Sequence, residues 1–272
     1  MRRWMLWLLL GLWGCRALAE GELRIGIEPY FSPKLLLSSM QPLRQALTRS
    51  LGRPVILLTA PDYRQFVGHI VDHHYDLVII GPHTARYAQL EAGYVPLLKG
   101  AAQLTALVIV KRHSPIDRLE ALQNQPVALP NPLTATAMLG EELLNRQQIS
   151  ARLRYHDFHN AAALAVVRDE ARAAIVNNTA FAHMPLELRD QLRVLAESRA
   201  LPHMVLLVDS RVTPAERQRY SEAVANFLNA NEQGRQFLAR LGFYGASPIE
   251  AGDLSSVEPF MVELKRRLAE GR

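Results

Sequence analysis

The stretch Tyr75-Asp76-Leu77-Val78-Ile79-Ile80-Gly81-Pro82-His83-Thr84 decides the fold. Asp76 to Ile80 reads as a strand whose apolar run suits a parallel position buried on both faces, and Gly-Pro is a turn signal that ends it. The residues beyond, Ala85 to Ala92, are helical in pattern. Working back, Asp62 to His73 fits a helix that starts on an Asp62 cap, and Pro54 to Leu58 is a strand. Leu36, Met40, Leu43, Leu47 and Leu51 recur at helical spacing over 35–51, with Gly52 as a C-terminal stop. Leu23 to Ile27 is the opening strand, followed by the turn Pro29–Pro33. Strands alternating with helices imply βαβ units and a largely parallel sheet.

The alternation then restarts. Leu104 to Lys111 is a longer strand, after which Pro126–Leu129, Arg152–His156 and Ala173–Val176 are strands, separated by helices over Thr134–Gln147 and Ala161–Arg168. A last strand, His203–Asp209, precedes a helical region from Pro214 to Gly242 and an amphipathic helix over Glu258–Leu268. Two α/β batches with two long strands between them predict two lobes. Lobe 1 is expected over 20–104 and 210–272, lobe 2 over 112–202, and the crossings over 105–111 and 203–209.

The 272 residues are 49% hydrophobic and 21% charged, with 15 Gly and 16 Pro. This composition excludes a disordered tail protein, a collagen-like chain and a disulfide-knotted miniprotein. Residues 1–19, MRRWMLWLLLGLWGCRALA, read as a secretory signal. Arg2 and Arg3 lead an apolar run from Trp4 to Trp13, and Ala17-Leu18-Ala19 is a small-x-small cleavage site. The run is too short to cross about 30 Å of hydrocarbon. A second reading places a lipid on Cys15 through Leu12-Trp13-Gly14-Cys15. Cleavage after Ala19 removes three Arg and no acid, so a formal charge of +5 becomes 28 basic against 26 acidic side chains, or +2. Nucleic-acid binding thereby loses its main electrostatic support. The same cut removes Cys15, the single cysteine, and with it any Cys nucleophile, Cys-ligated zinc or internal disulfide.

Ligands of open α/β sheets sit beyond the carboxyl ends of strands. The loops there are Glu28-Pro29-Tyr30-Phe31, Gly81-Pro82-His83-Thr84, Pro130 to Thr136, and Asn177-Asn178-Thr179. They are rich in hydroxyl, amide, imidazole and phenol groups and poor in carboxylates, which suits an anion held by neutral donors. Thr134 and Thr136 fall at a helix start, where free N–H groups and about half a positive charge favour an oxyanion. Equally, Thr134 or Asn131 simply caps that helix. His83 is either an anion donor or a surface imidazole, Tyr30 an aromatic wall or a core edge, and Asn177 and Asn178 turn formers or ligands. No metal is expected: His73-His74 are adjacent, His156 and His159 lack a carboxylate cluster, and HExxH is absent. No cofactor and no enzyme activity are expected either, since GxSxG, P-loop and GxGxxG motifs are all missing.

Ile25-Gly26-Ile27-Glu28-Pro29-Tyr30 with Ser32-Pro33, Gln41-Pro42-Leu43 with Leu51-Gly52-Arg53-Pro54-Val55, and Tyr75 to Pro82 together resemble the periplasmic phosphonate-binding proteins of ABC importers, within the phosphate/phosphite/phosphonate-type solute-binding group. The resemblance implies a type II periplasmic-binding-protein fold: two α/β lobes joined by two hinge strands, with the ligand cleft between them. It also implies closure on the ligand that a membrane permease reads. Where the family uses Ser-Thr-Ser and then Gly-Tyr at a helix start, this chain has Thr134, Ala135 and Thr136, then Ala137 and Met138. Two hydroxyls are kept, the middle one is lost and Gly-Tyr is absent. The amine-binding acid of some family members has no evident counterpart, because Asn177 and Asn178 occupy the analogous loop.

The expectation is a periplasmic, monomeric solute receptor that delivers a small oxyanion (phosphonate, phosphite or phosphate) to an ABC permease. Tyr30, His83, Thr84, Thr134, Ala135, Thr136 and Asn177 form its expected binding set. The alternative is a sensory role in which the same closure signals to a membrane-bound kinase or another envelope partner.

Overall fold

The computed structural model describes residues 21–250 and 252–271. The predicted signal segment 1–19, with Cys15, lies outside the described residues.

The first batch runs β1 (Leu23–Ile27), α1 (Pro33–Ser39), α2 (Gln41–Leu51), β2 (Val55–Leu58), α3 (Tyr63–Val71), β3 (Leu77–Ile80), α4 (Pro82–Glu91) and β4 (Val95–Gly100). Local chemistry sets several of these boundaries. The Asp62 carboxylate accepts from the Gln65 N–H at 2.8 Å and starts α3. Gly52 ends α2 in the left-handed conformation, φ 67°. The helix expected over 35–51 is broken at Met40, because Pro42 lacks the N–H that would continue α1 and instead takes a first-turn position of α2. Leu77, Val78 and Ile80 are fully buried, as the opening stretch required.

A short β5 (Gln103–Leu104) leads into β6 (Ala106–Lys111), and the second batch follows. It comprises β7 (Pro126–Leu129), α5 (Ala135–Arg146), β8 (Arg152–Tyr155), α6 (His159–Val167), β9 (Ala173–Asn177), α7 (Asn178–Ala182), α8 (Leu186–Arg189) and β10 (Leu192–Glu197). The chain returns through β11 (Leu201–Pro202) and β12 (Val205–Val208) to α9 (Pro214–Ala225), a π-helical turn over Asn226–Ala230, α10 (Glu232–Arg240), β13 (Ala246–Pro248) and α11 (Glu258–Glu270). The capping box of Thr213 and Glu216 starts α9. Gly234 lets α10 lie against the π turn: a Cβ there would stand 1.7 Å from the Phe227 carbonyl oxygen.

Each lobe is built on its own sheet. One has six strands in the order β13-β4-β12-β3-β1-β2, the other five in the order β10-β6-β9-β7-β8. Among the described residues only β1–β2, β1–β3, β7–β8 and β7–β9 are parallel pairs. The sheets are therefore mixed rather than largely parallel. The cause is the double crossing: β12 returns to lie antiparallel between β3 and β4, and β6 enters the other sheet antiparallel to β9 and β10. Between the lobes the two crossings pair as a separate antiparallel ladder, Leu201 opposite Leu104 and Pro202 opposite Gln103. The Asn178 amide ties this ladder to β9. Its Nδ2 donates to the Gln103 carbonyl at 2.9 Å and its Oδ1 accepts from the Thr105 N–H at 3.3 Å.

Candidate functional site

A cavity of about 220 Å³ lies between the lobes beside this ladder. Lobe 1 contributes Glu28, Tyr30, Tyr63, Gly81 and His83, and the α10 end brings Arg240. Lobe 2 contributes Thr134, Ala135, Thr136, His159, Asn177 and Thr179; the returning crossing adds His203.

The start of α5 is the open donor end of the cavity. The Thr134 hydroxyl donates to the Asn131 carbonyl at 2.8 Å and accepts from the Ala137 N–H at 3.1 Å, so Thr134 is the helix cap. Thr136 is buried, yet among the described residues its hydroxyl and its N–H, like the Ala135 N–H, have no protein partner. Two free N–H groups and a hydroxyl at the positive end of a twelve-residue helix form an anion cradle.

Three histidines are held neutral around it, and the hydrogen-bond partners fix each tautomer. The Asn177 Oδ1 accepts from the Ala180 N–H at 2.5 Å, which leaves its Nδ2 to donate to His159 Nε2 at 3.3 Å. The His159 proton is therefore on Nδ1, a buried donor without a partner. His203 Nδ1 accepts from the Met204 N–H at 2.9 Å, so its Nε2–H donates to the Thr179 hydroxyl at 3.1 Å and frees that hydroxyl's own proton for a ligand. His83 Nε2–H donates across the cleft to the Leu133 carbonyl at 2.8 Å, and its Nδ1 is a buried acceptor without a partner. Burial lowers the pKa of His83 and His159 to about 4 and of His203 to about 3, the last also through His159.

The α4 start, which also faces the cavity, is already occupied. Glu28 accepts from the Gly81 N–H at 2.8 Å and from the Thr84 hydroxyl at 2.9 Å, and so sits as a stopper on the start of α4. Burial pushes its pKa up to about 7 against those two hydrogen bonds. Burial, with the Glu28 charge behind it, also raises the Tyr30 phenol.

Of the expected site residues, the structure brings Tyr30, His83, Thr134, Ala135, Thr136 and Asn177 onto one cavity. Thr84 is fully buried behind the wall and spends its hydroxyl on Glu28. Asn177 orients His159 and caps α7 rather than offering a free amide. Sequence reasoning placed Glu28 and Thr179 in strand-end loops without choosing them as ligands, considered His159 only as a metal ligand, and missed His203 and Arg240 altogether. Glu28 and Thr179 carried a signal, their places in those loops. Among the described residues no group of three His, Cys, Asp or Glu is placed to hold a metal.

The family model described as the periplasmic substrate-binding protein of the phosphonate ABC transporter matches residues 25–254. The chain belongs to this phosphonate-binding family. Solved structures agree on the fold. A binding protein component of an ABC phosphonate transporter from Pseudomonas aeruginosa superposes with a TM-score of 0.77 at 18% identity, covering 92% of this chain and 98% of that one. PhnD1 from Prochlorococcus marinus, in complex with methylphosphonate, gives 0.81 at 13% identity over 90% and 98%. A Xanthomonas citri protein solved with ATP gives 0.72 at 19% identity over 92% and 99%. No curated protein matches in sequence. The chain thus has the two-lobed type II periplasmic-binding fold, and as a phosphonate-binding family member it is a periplasmic small-ligand carrier that serves a membrane permease.

Proposed function

We propose that this carrier captures a tetrahedral oxyanion of the phosphonate type at the start of α5, holding it through the Ala135 and Thr136 N–H groups, the Thr136 and Thr179 hydroxyls and the His159 Nδ1–H. One observation carries the reading. The Ala135 and Thr136 N–H groups and the Thr136 hydroxyl have no protein partner among the described residues and stand at one cavity, and His159 Nδ1–H on the same cavity is a buried donor left unmade, a cost of about 1–3 kcal/mol that an anionic acceptor removes. Neutral donors at a helix start suit a charge that must be released again, since they bind without a fixed countercharge. Arg240 lines the same cavity, and no hydrogen bond or ion pair occupies it among the described residues, so it adds long-range attraction. Tyr30 walls the cavity, and Thr84 acts through Glu28.

No bond is made or broken in this scheme, and the protein works as carrier rather than enzyme. We read it as a monomer, because the large apolar side chains that the described residues expose are spread one to an element. Its leader is cut after Ala19, leaving it free in the periplasm; an intact mass that instead retained Cys15 with a lipid would reverse that. Thermal melts with methylphosphonate, phosphite, phosphate and sulfate test the ligand class. A ligand at 100 times its Kd stabilises by about 2.7 kcal/mol, a shift of several degrees. A shift with an uncharged compound and none with any tetrahedral anion refutes the proposal.

A further inference from the structure

The donors occupy only part of the cavity wall. Much of the remainder is carbon: Phe31, Leu35, Leu104, Met204, Leu241 and Phe243. At about 30 Å³ per water, a cavity of about 220 Å³ holds about seven, more than the five atoms of a bare tetrahedral anion. A second cavity of about 80 Å³ adjoins the first, sharing with it the wall of Tyr30, Met204, Leu241 and Phe243. Its own lining includes Met40, Leu43, Leu98, Val224, Leu228 and Phe237, and also Lys99, whose ammonium is paired with Asp253. A wall made mainly of carbon favours an apolar occupant, because the contact removes apolar surface from water.

Resting on the anion reading above, we infer that the ligand carries an unbranched apolar substituent of several carbons, which lies against Met204, Leu241 and Phe243 and extends toward the second cavity. The phosphonate head is held by α5 and the tail is selected by carbon contacts. The T-shaped packing of Phe243 on His203, 4.6 Å between ring centroids, places the apolar wall directly beside the donor network. Tail and head are therefore read by adjoining residues of one site. Arg240 and Leu241 sit at the end of α10, which Gly234 seats on the π turn containing Leu228.

The test is isothermal titration of the purified mature chain with inorganic phosphate and with methyl-, ethyl-, propyl- and butylphosphonate. Each added methylene that leaves water is expected to tighten binding about fourfold, with phosphate the weakest. Val224→Phe and Leu228→Phe, which intrude only on the second cavity, are expected to bring the butyl-to-methyl affinity ratio down toward that of ethyl to methyl; a thermal melt reports that each variant folds. Phosphonates that all bind, with affinity flat or falling along the series, overturn this inference and leave the anion reading standing. A chain-length gain that neither variant reduces overturns the assignment of the second cavity. No binding by any phosphonate overturns the anion reading, and the inference falls with it.

Discussion

Thr134 and Thr136 look equivalent in sequence, two residues apart at one helix start, yet the structure gives them opposite jobs. The Thr134 hydroxyl is engaged on both sides, by the Asn131 carbonyl and the Ala137 N–H. The Thr136 hydroxyl has no protein partner among the described residues and lines the cavity. Replacing each by valine keeps the shape and removes the hydroxyl. Thr134→Val then loses a helix cap, about 1 kcal/mol, which lowers Tm by roughly 2–4 °C in a protein of this size. Thr136→Val breaks no protein hydrogen bond, so its Tm without ligand stays within about a degree of the parent. Its effect falls on binding. A hydrogen bond to a charged group is worth about 1.5–3 kcal/mol, so Kd for methylphosphonate rises by roughly 10- to 100-fold. Calorimetric melts and titrations of the two variants give the four numbers required. Unchanged phosphonate affinity in Thr136→Val refutes the assignment of the α5 start as the anion cradle, whatever Thr134→Val does.

Acidification tests the buried histidines. His83, His159 and His203 are depressed by burial from 6.5 to about 4, 4 and 3, so between pH 6.5 and 4 the unfolded chain binds more protons than the folded one. Their stability is complete above pH 6.5 and is lost as pH falls through that window, by about 3 kcal/mol for each histidine at the acid end. Glu28, raised from 4.5 to about 7, acts the other way, stabilising the fold as pH falls from 7. Three groups outweigh one, so Tm measured by circular dichroism falls from pH 7 to pH 4.5; a rising Tm contradicts the neutral burial of these histidines. Gly234→Ala forces a Cβ into the Phe227 carbonyl and is expected to cost about 3 kcal/mol or more. A neutral Gly234→Ala in urea denaturation would mean that α10 does not rest on the π turn.

The β1, β3 and β7 strands and the Asp62 and Gly52 boundaries were legible because each is fixed locally, by an apolar run, a cap or a left-handed glycine. The strands β4, β10 and β13 were not. β4 carries Pro96, which it accommodates at a register shift against β12, while β10 is a half-exposed edge with its own shift. The apolar run of β4 is broken by Pro96, and β10 shows no clean alternation. In the site, the α5 start was legible from its two threonines and the helix pattern behind them. His159 and His203 were not, because they lie 44 residues apart in sequence and meet only through the second crossing. Glu28 was visible as a letter but not as a cavity group, since its role depends on Gly81 and Thr84, which β3 brings beside it.

The ladder of Gln103–Leu104 and Leu201–Pro202 has a mechanical consequence. Leu104 and His203 line the cavity within or next to those paired residues, so the occupant sits close to the fulcrum while the far rims of both lobes lie at the ends of long arms. A turn about this ladder would move the rims further than the occupant, because the rims lie farther from it. A solute of a few heavy atoms can in this way reshape a surface many times its own size.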